Sequence, residues 1–185
     1  IAEQFSYQLP DVILYPTGGG VGLIGLWKAF NELEALGWIG AERPRLVAVQ
    51  AEGCSPVVRA FNTGQQSCDF YDEAATYATG LRVPRPFADR LVMRILYETE
   101  GIAISVTEAQ IAAAVTQLAR IEGHYVCPEG AAAVAALPVL RDSGWLTPSD
   151  RVVILNTGTA LKYVSNVNLA ETPILEPGDE LLPQH

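Results

Sequence analysis

The stretch ILYPTGGGVGLIG, residues 13–25, carries five glycines within eight positions directly after an apolar run. Glycine inside a regular helix or strand is destabilising by roughly 0.5–1 kcal/mol relative to alanine. Such a cluster is therefore better explained as backbone that a ligand approaches closely. We predict a glycine turn between a strand and a helix, with its N–H groups facing an anion.

The overall composition excludes several classes of protein. The chain has 185 residues, of which 49% are hydrophobic, and we predict a single α/β unit spanning residues 1–185. The net charge of −9 comes from scattered acids without a Lys/Arg stripe, which argues against a nucleic-acid partner. No apolar run approaches the roughly 20 residues of a membrane span, so we expect no membrane partner and a cytoplasmic location.

The three cysteines, Cys54, Cys68 and Cys127, are widely spaced and form no C-x-x-C motif. This spacing gives no pattern of metal ligands and no disulfide framework. We predict no metal site, and we expect all three to be small buried thiols in a reducing compartment.

Apolar runs suited to buried strands alternate with helical periodicity along the chain. The predicted strands cover residues 12–15, 46–50, 102–106 and 152–155. Nearly continuous apolar strands separated by helices are typical of a parallel sheet flanked by helices on both faces. In such sheets a ligand binds outside the carboxyl ends of the strands, where the glycine turn and the run LNTGT (155–159) both fall.

The predicted helices each carry a local signal for their start or end. The first helix runs from the glycine turn to a left-handed cap at Gly37, and the second begins at a cap formed by Ser55-Pro56. The third covers 89–99, the fourth begins at a Thr107/Gln110 capping box, and the fifth covers about 129–142. The helix after the capping box should bury a stripe made of Ile111, Val115, Leu118 and Ile121. Pro138 should bend the last helix, because proline removes one backbone hydrogen bond.

The chain opens with IAEQFSYQLPD, without a methionine. We interpret this segment as the tail of a helix ended by Leu9-Pro10-Asp11. We therefore expect the chain to be a fragment, with part of its site supplied by a preceding segment.

The glycine run allows more than one interpretation. Residues 20–25 satisfy the dinucleotide pattern G-x-G-x-x-G, and Glu52 could then hold a ribose hydroxyl. However, Glu52 comes 27 positions after the last glycine, and Pro16 to Gly19 separate the strand from the pattern. A compact cup for a single phosphate fits the run better. A nicotinamide or flavin site, and a turn that serves only helix–sheet packing, stay open as alternatives.

Four ordered motifs resemble the threonine synthases, which belong to the pyridoxal-phosphate family shared with tryptophan synthase β and threonine dehydratase. The motifs are PDVILYPTGGGVGLIGLWKAF (10–30), VAVQAEGCSPVVRAF (47–61), CPEGAAAVAAL (127–137) and VVILNTGTALKY (152–163). The similarity runs from near residue 1 to about residue 163 and covers only the C-terminal half of the family's chain. It implies a tryptophan synthase β-like fold and a pyridoxal 5'-phosphate cofactor.

The resemblance also implies an activity and partners. The parent enzyme would convert O-phosphohomoserine and water to threonine and phosphate, with a small amino acid as substrate and a homodimer of the full-length chain as its assembly. A threonine dehydratase or an ammonia-lyase of the same family is the alternative.

Residue by residue, the resemblance assigns a cofactor site. The cup for the cofactor phosphate would consist of Thr17, Gly18, Gly19, Gly20, Val21 and Gly22. Thr157 would place a neutral hydroxyl against the pyridine nitrogen. Glu129 resembles a family acid near the cofactor ring, although the helix dipole favours an acid at a helix start in any case. Ala160 departs from the glycine expected at its position and could tighten the pocket.

The family also needs a lysine that forms a Schiff base with the cofactor. The resemblance places that lysine in the preceding half, and neither Lys28 nor Lys162 has the expected sequence context. We expect Lys28 to be a solvated helix residue and Lys162 to flank the site without bonding the cofactor. We therefore predict no catalytic residue in this chain and no activity for the isolated fragment. Arg82 is one candidate for binding the substrate phosphate, although nothing in the sequence selects it.

Overall fold

The structure is a computed structural model, and it describes residues 1–166. Its strands are β1 (Val12–Pro16), β2 (Arg45–Ala51), β3 (Ile102–Val106) and β4 (Val152–Ile154). Its α-helices are α1 (Val21–Ala35), α2 (Pro56–Asn62), α3 (Asp89–Glu98), α4 (Glu108–Glu122) and α5 (Pro128–Asp142). Two 3-10 helices cover Thr79–Leu81 and Ala160–Asn166.

The strands form one parallel sheet in the order β3-β2-β1-β4. The central strand β1 pairs with β2 on one side and with β4 on the other, with Val12 opposite both Arg45 and Val152. Because all strands are parallel, their carboxyl ends meet at one edge of the sheet. The turn after β1 and the loop after β4 are therefore neighbours at that edge.

Helices cover both faces of this sheet, which confirms the predicted fold class. Val12 and Leu14 belong to the core that packs against α4 and α5. Ile13, between them in the sequence, belongs to the core that packs against α1, α2 and α3. Successive side chains of a strand point to opposite faces, so burial on both faces explains why the strands are almost continuously apolar.

Most of the predicted helix signals are confirmed. Thr107 and Gln110 form the expected capping box at the start of α4. Gly37 ends α1 with a φ of 73°, and its N–H donates to the carbonyl of Glu34 at 2.8 Å. The helix α5 starts at Pro128, one residue before the predicted position, and contains Pro138.

Three local predictions are wrong. Ser55 precedes α2 but does not cap it, because its hydroxyl donates instead to the carbonyl of Glu52 at 3.3 Å. Ile121 is 68% exposed, because the helix α4 buries only the first part of its apolar stripe. Residues 2–7 form successive turns rather than a helix tail, and Ser6 and Tyr7 have left-handed backbone.

All three cysteines are free and buried, as expected for small apolar side chains. Within residues 1–166, no helix is both long enough and apolar enough to cross a membrane.

Gly25 offers a test of the helix α1. It lies in the helix interior and is exposed, and a Cβ built on it would meet no atom within 4 Å. Replacing glycine by alanine in a helix stabilises by roughly 0.5–1 kcal/mol. We expect Gly25→Ala to raise the free energy of unfolding by about this amount in urea denaturation. A loss of stability would contradict the open helical environment of Gly25.

An ion pair connects the start of β2 to the loop before β4. Arg45 Nη2 lies 2.7 Å from Asp150 Oδ1, and the guanidinium stacks over the ring of Trp145 at 4.3 Å. The N–H of Thr147 donates to Asp150 Oδ2 at 2.6 Å. This N–H, together with the hydroxyl of Thr147 and with Arg45, lowers the pKa of Asp150.

This lowered pKa predicts how stability depends on pH. The ionised Asp150 stabilises the folded state above its unfolded pKa of about 3.9, and this contribution is lost as the pH falls through the lower folded pKa. We expect Asp150→Asn to be less stable than the wild type at neutral pH, with the difference shrinking below about pH 4. Urea denaturation across the acid range checks this expectation, and a difference that does not change with pH would contradict it.

Candidate functional site

A cavity of about 310 Å³ lies at the carboxyl edge of the sheet. Its walls come from β1 and the turn after it, the 3-10 helix Thr79–Leu81, the start of α5 and the segment after β4. The lining residues are Tyr15, Pro16, Gly18, Gly19, Gly20, Val21, Gly22, Gly80, Leu81, Cys127, Glu129, Thr157, Gly158, Lys162 and Tyr163. Six of the seven predicted cofactor residues are among them, and Thr17 is the exception.

The glycine turn, which lines this cavity, contains unpaired N–H groups. Within residues 1–166, the amides of Gly18, Gly19 and Gly20 donate to no backbone or side-chain acceptor. The helix α1 follows directly, and Gly20 occupies its N-cap position without a side chain to cap the first turn. The first N–H groups of a helix have no acceptor within the helix, and they carry its positive dipole end. The first turn of α1 contains no acidic residue to offset this field.

Packing explains three of the glycines in this turn. A Cβ on Gly18 would overlap the carbonyl oxygen of Gly80, and a Cβ on Gly22 would overlap the hydroxyl of Tyr15. Gly20 has a φ of 84°, and its Cβ would overlap the side chain of Val92. Gly19, in contrast, has open space around it. Packing alone therefore does not account for the whole run, and the exposed amides need a second explanation.

Thr17 anchors the turn to the sheet. It is fully buried, its N–H donates to the carbonyl of Val49 at 2.7 Å, and its hydroxyl donates to the carbonyl of Tyr15 at 2.9 Å. Its own carbonyl accepts a hydrogen bond from Gln50 at 3.1 Å. All polar groups of Thr17 are thus engaged behind the turn, and the structure does not place this residue in the cavity as the sequence predicted.

Glu129 joins three segments of the cavity wall. This carboxylate lies in the first turn of α5 and is 7% exposed. Its Oε1 accepts hydrogen bonds from the N–H of Gly80 at 2.8 Å and from the hydroxyl of Tyr163 at 2.6 Å. Burial, followed by the bond to Glu129, raises the pKa of Tyr163, so its hydroxyl stays protonated at neutral pH and keeps donating. Sequence reasoning identified Glu129 but missed both of its partners.

Cys127 and Thr157 hold the start of α5 against the loop after β4. The Sγ atom of Cys127 accepts from the N–H of Gly130 at 3.4 Å and lies 3.9 Å from Thr157 Oγ1. The N–H of Cys127 donates to the carbonyl of Gly158 at 3.0 Å. Burial raises the pKa of the Cys127 thiol, so this group is neutral at physiological pH. The hydroxyl of Thr157 is therefore held at the cavity beside an uncharged neighbour.

The other residues singled out in the sequence occupy different places. Lys28 is exposed and pairs with Glu32, as predicted for a solvated helix residue. Lys162 lines the cavity. The remaining three, Arg82, Glu52 and Ala160, are not among the lining residues, and Ala160 is buried with its N–H bonded to the carbonyl of Tyr125.

Together, the parallel sheet, the uncapped helix start and the glycine turn form an α/β arrangement whose carboxyl edge is suited to binding an anion. Residues 1–158 match the family described as pyridoxal-phosphate dependent enzyme. The chain therefore belongs to the family of pyridoxal-phosphate-dependent enzymes, which confirms the cofactor expected from the motifs. This match does not support the dinucleotide alternative, for which Glu52 would also have to line the cavity.

Curated relatives that are similar over most of this chain include threonine synthases. The chain is 33% identical over 175 residues to the threonine synthase of Methanocaldococcus jannaschii, and 36% identical over 174 residues to that of Methanosarcina acetivorans. Each alignment covers 94% of this chain and 43% of the relative. The resemblance to threonine synthases is thereby confirmed, and the chain spans less than half the length of these relatives.

Solved structures with a similar fold include two related enzymes. A threonine deaminase from T.th. superposes with a TM-score of 0.64 at 24% identity, covering 93% of this chain and 54% of that one. A fungal L-serine ammonia-lyase from Rhizomucor miehei superposes with a TM-score of 0.69 at 22% identity, covering 89% of this chain and 51% of that one. These likenesses confirm the fold of the pyridoxal-phosphate family.

Proposed function

We propose that this chain is the C-terminal part of an enzyme that converts O-phosphohomoserine and water to threonine and phosphate. The observation that carries the proposal is the glycine turn, whose unpaired amides line one cavity together with Thr157. The reaction is supported by the two threonine synthases described above, whose alignments each cover 94% of this chain. The homodimer and the cytoplasmic location stay predictions.

The residues of the turn fit the phosphate of pyridoxal phosphate. A dianionic phosphate is bound well by several backbone N–H groups at a helix N-terminus. Gly18, Gly19 and Gly20 offer such groups outside the helix, and Val21 and Gly22 offer them in the first turn of α1. Glu129 adds a negative charge to the same cavity, but its Oε1 is already occupied by two donors.

Thr157 would hold the ring nitrogen of the cofactor. A neutral hydroxyl leaves that nitrogen largely unprotonated and so moderates the pull of the ring on electrons. When bound, pyridoxal phosphate supplies an electron sink that acidifies the C–H bonds of an amino acid. The described residues of this chain bind and orient, and we propose that a segment encoded upstream of Ile1 supplies the lysine that moves protons.

Deamination is the second candidate reaction. It is favoured by the structural likeness to a threonine deaminase and to an L-serine ammonia-lyase. The products distinguish the two reactions, because a deaminase releases ammonia and a 2-oxo acid, whereas the proposed enzyme releases phosphate and threonine.

The test compares the full-length protein with the isolated 185-residue chain. Each is incubated with pyridoxal phosphate and O-phosphohomoserine, and threonine and inorganic phosphate are measured by chromatography and a colorimetric assay. Parallel reactions with threonine and with serine are assayed for 2-oxo acid. We expect equal amounts of threonine and phosphate from the full-length protein and no product from the isolated chain.

Two results would contradict this proposal. Release of 2-oxo acid from threonine or serine, without phosphate from O-phosphohomoserine, would assign the deaminase reaction instead. Turnover at a normal rate by the isolated chain would show that the lysine does not need to come from an upstream segment.

A further inference from the structure

Gln50 is a buried amide in β2, with no exposed surface, and the strand residues between Arg45 and Gln50 are all apolar. Its Nε2 donates to the carbonyl of Thr17 at 3.1 Å. Its Oε1 accepts from the N–H groups of Val57 and Val58 at 2.9 and 3.2 Å. One side chain therefore holds the glycine turn and also caps α2 in the place expected for Ser55.

The bond to Thr17 fixes the direction of the next N–H. A trans peptide is planar, so the carbonyl of Thr17 and the N–H of Gly18 point in opposite directions. The N–H and the hydroxyl of Thr17 are also bonded, to the carbonyls of Val49 and Tyr15, so the residue cannot rotate freely. With its carbonyl held by Gln50, the N–H of Gly18 is kept pointing away from Gln50.

That N–H belongs to a residue that lines the cavity, and within residues 1–166 it has no acceptor. If the peptide turned over, an acceptor oxygen would replace this donor. An anion in the cavity would then lose the hydrogen bond from the N–H of Gly18 and would also be repelled by the carbonyl oxygen of Thr17.

We propose that Gln50 is a positioning residue for the cofactor phosphate. By holding the carbonyl of Thr17, it keeps the peptide between Thr17 and Gly18 in the orientation that donates to the phosphate. This inference rests on the proposed function, in which the glycine turn binds pyridoxal phosphate.

The two roles of Gln50 use different atoms, so one substitution separates them. Gln50→Glu keeps the size of the side chain and its acceptor for α2. When ionised, it has no donor for the carbonyl of Thr17 and places a negative oxygen against it. When protonated, the carboxyl group donates again. The hydrogen-bond partners of Gln50 are backbone groups, which do not titrate in this range.

The experiment titrates pyridoxal phosphate into full-length wild type, Gln50→Glu and the control Gln117→Glu, which makes the same change at an exposed position of α4. Affinity is measured for the folded protein at pH 8 and pH 5.5. We expect Gln50→Glu to bind at least about tenfold more weakly than wild type at pH 8 and within about threefold of it at pH 5.5. Gln117→Glu should match the wild type at both pH values.

The same affinity ratio at both pH values would mean that the carboxyl at position 50 keeps one protonation state over this range, and Gln50→Met, which neither donates nor titrates, then decides. Failure of the wild type itself to bind would instead contradict the proposed function. If Gln50→Glu does not fold at pH 8, Gln50→Met is compared with the wild type at neutral pH. An affinity loss of about tenfold is expected for the folded Met variant, and unchanged affinity would overturn the proposal.

Discussion

Replacing Gly20 by alanine should lower the free energy of unfolding by about 2–5 kcal/mol. Gly20 has a φ of 84°, a backbone conformation that disfavours any residue with a Cβ by roughly 1–2 kcal/mol. The new Cβ would also overlap Val92, a fully buried residue of α3, and such overpacking is destabilising by about 1–3 kcal/mol. Because Gly20 caps α1 at the cavity, the affinity for pyridoxal phosphate should fall by at least about tenfold.

Gly37 provides the matched control at the other end of α1. It has a φ of 73°, but a Cβ built on it meets no atom within 4 Å. Gly37→Ala should therefore show only the backbone contribution of about 1–2 kcal/mol and leave cofactor affinity unchanged. Urea denaturation and cofactor titration of both variants measure these differences. Equal stability of the two variants would mean that Val92 moves aside without loss.

The second large effect is expected at Glu129. Glu129→Ala should lower the free energy of unfolding by about 2–4 kcal/mol, because the N–H of Gly80 and the hydroxyl of Tyr163 lose their acceptor. Gly80 also packs directly against Gly18, so the glycine turn should loosen as well. Cofactor affinity should consequently fall together with stability, and both are measured on the same protein preparation.

Glu129→Gln distinguishes the acceptor from the charge. A glutamine oxygen can accept from both Gly80 and Tyr163, so this variant should lose less than about half as much stability as Glu129→Ala. Tyr163→Phe removes one of the two donors, so its loss of stability should lie between those of Glu129→Gln and Glu129→Ala. If Glu129→Gln is as unstable as Glu129→Ala, the negative charge at the start of α5 would be the stabilising feature.

The elements of the fold could be predicted because their signals are local. The apolar run at 102–106 and the capping box of Thr107 and Gln110 each lie within a few residues, and the structure confirms both. Ile121 was assigned to the buried stripe of α4 on periodicity alone, but it is exposed. Periodicity identifies a face of a helix, whereas burial depends on how far the neighbouring element extends.

The candidate site could be predicted only where a motif marks it. The glycine turn and Thr157 lie in motifs, whereas Gly80 lies outside them and reaches Glu129 from 49 positions away. Tyr163 closes the motif 152–163, but no local pattern shows that its hydroxyl bonds Glu129, 34 positions earlier. Gly80 lies in a long connection without periodicity, so no local pattern pointed to it. Gln50 did carry a signal, because a buried amide within an apolar strand must find hydrogen-bond partners.

The place of β4 beside β1 has a consequence for how the protein is made. As the chain leaves the ribosome, β1 can pair with β2 and then β2 with β3, whereas β4 reaches β1 only after Val152 has been synthesised. Among residues 1–166, β4 is the last strand to be made, and the cavity residues Thr157, Gly158, Lys162 and Tyr163 follow it. A nascent or truncated chain without this strand should therefore bind little pyridoxal phosphate, and cofactor binding should begin only after these residues have been synthesised.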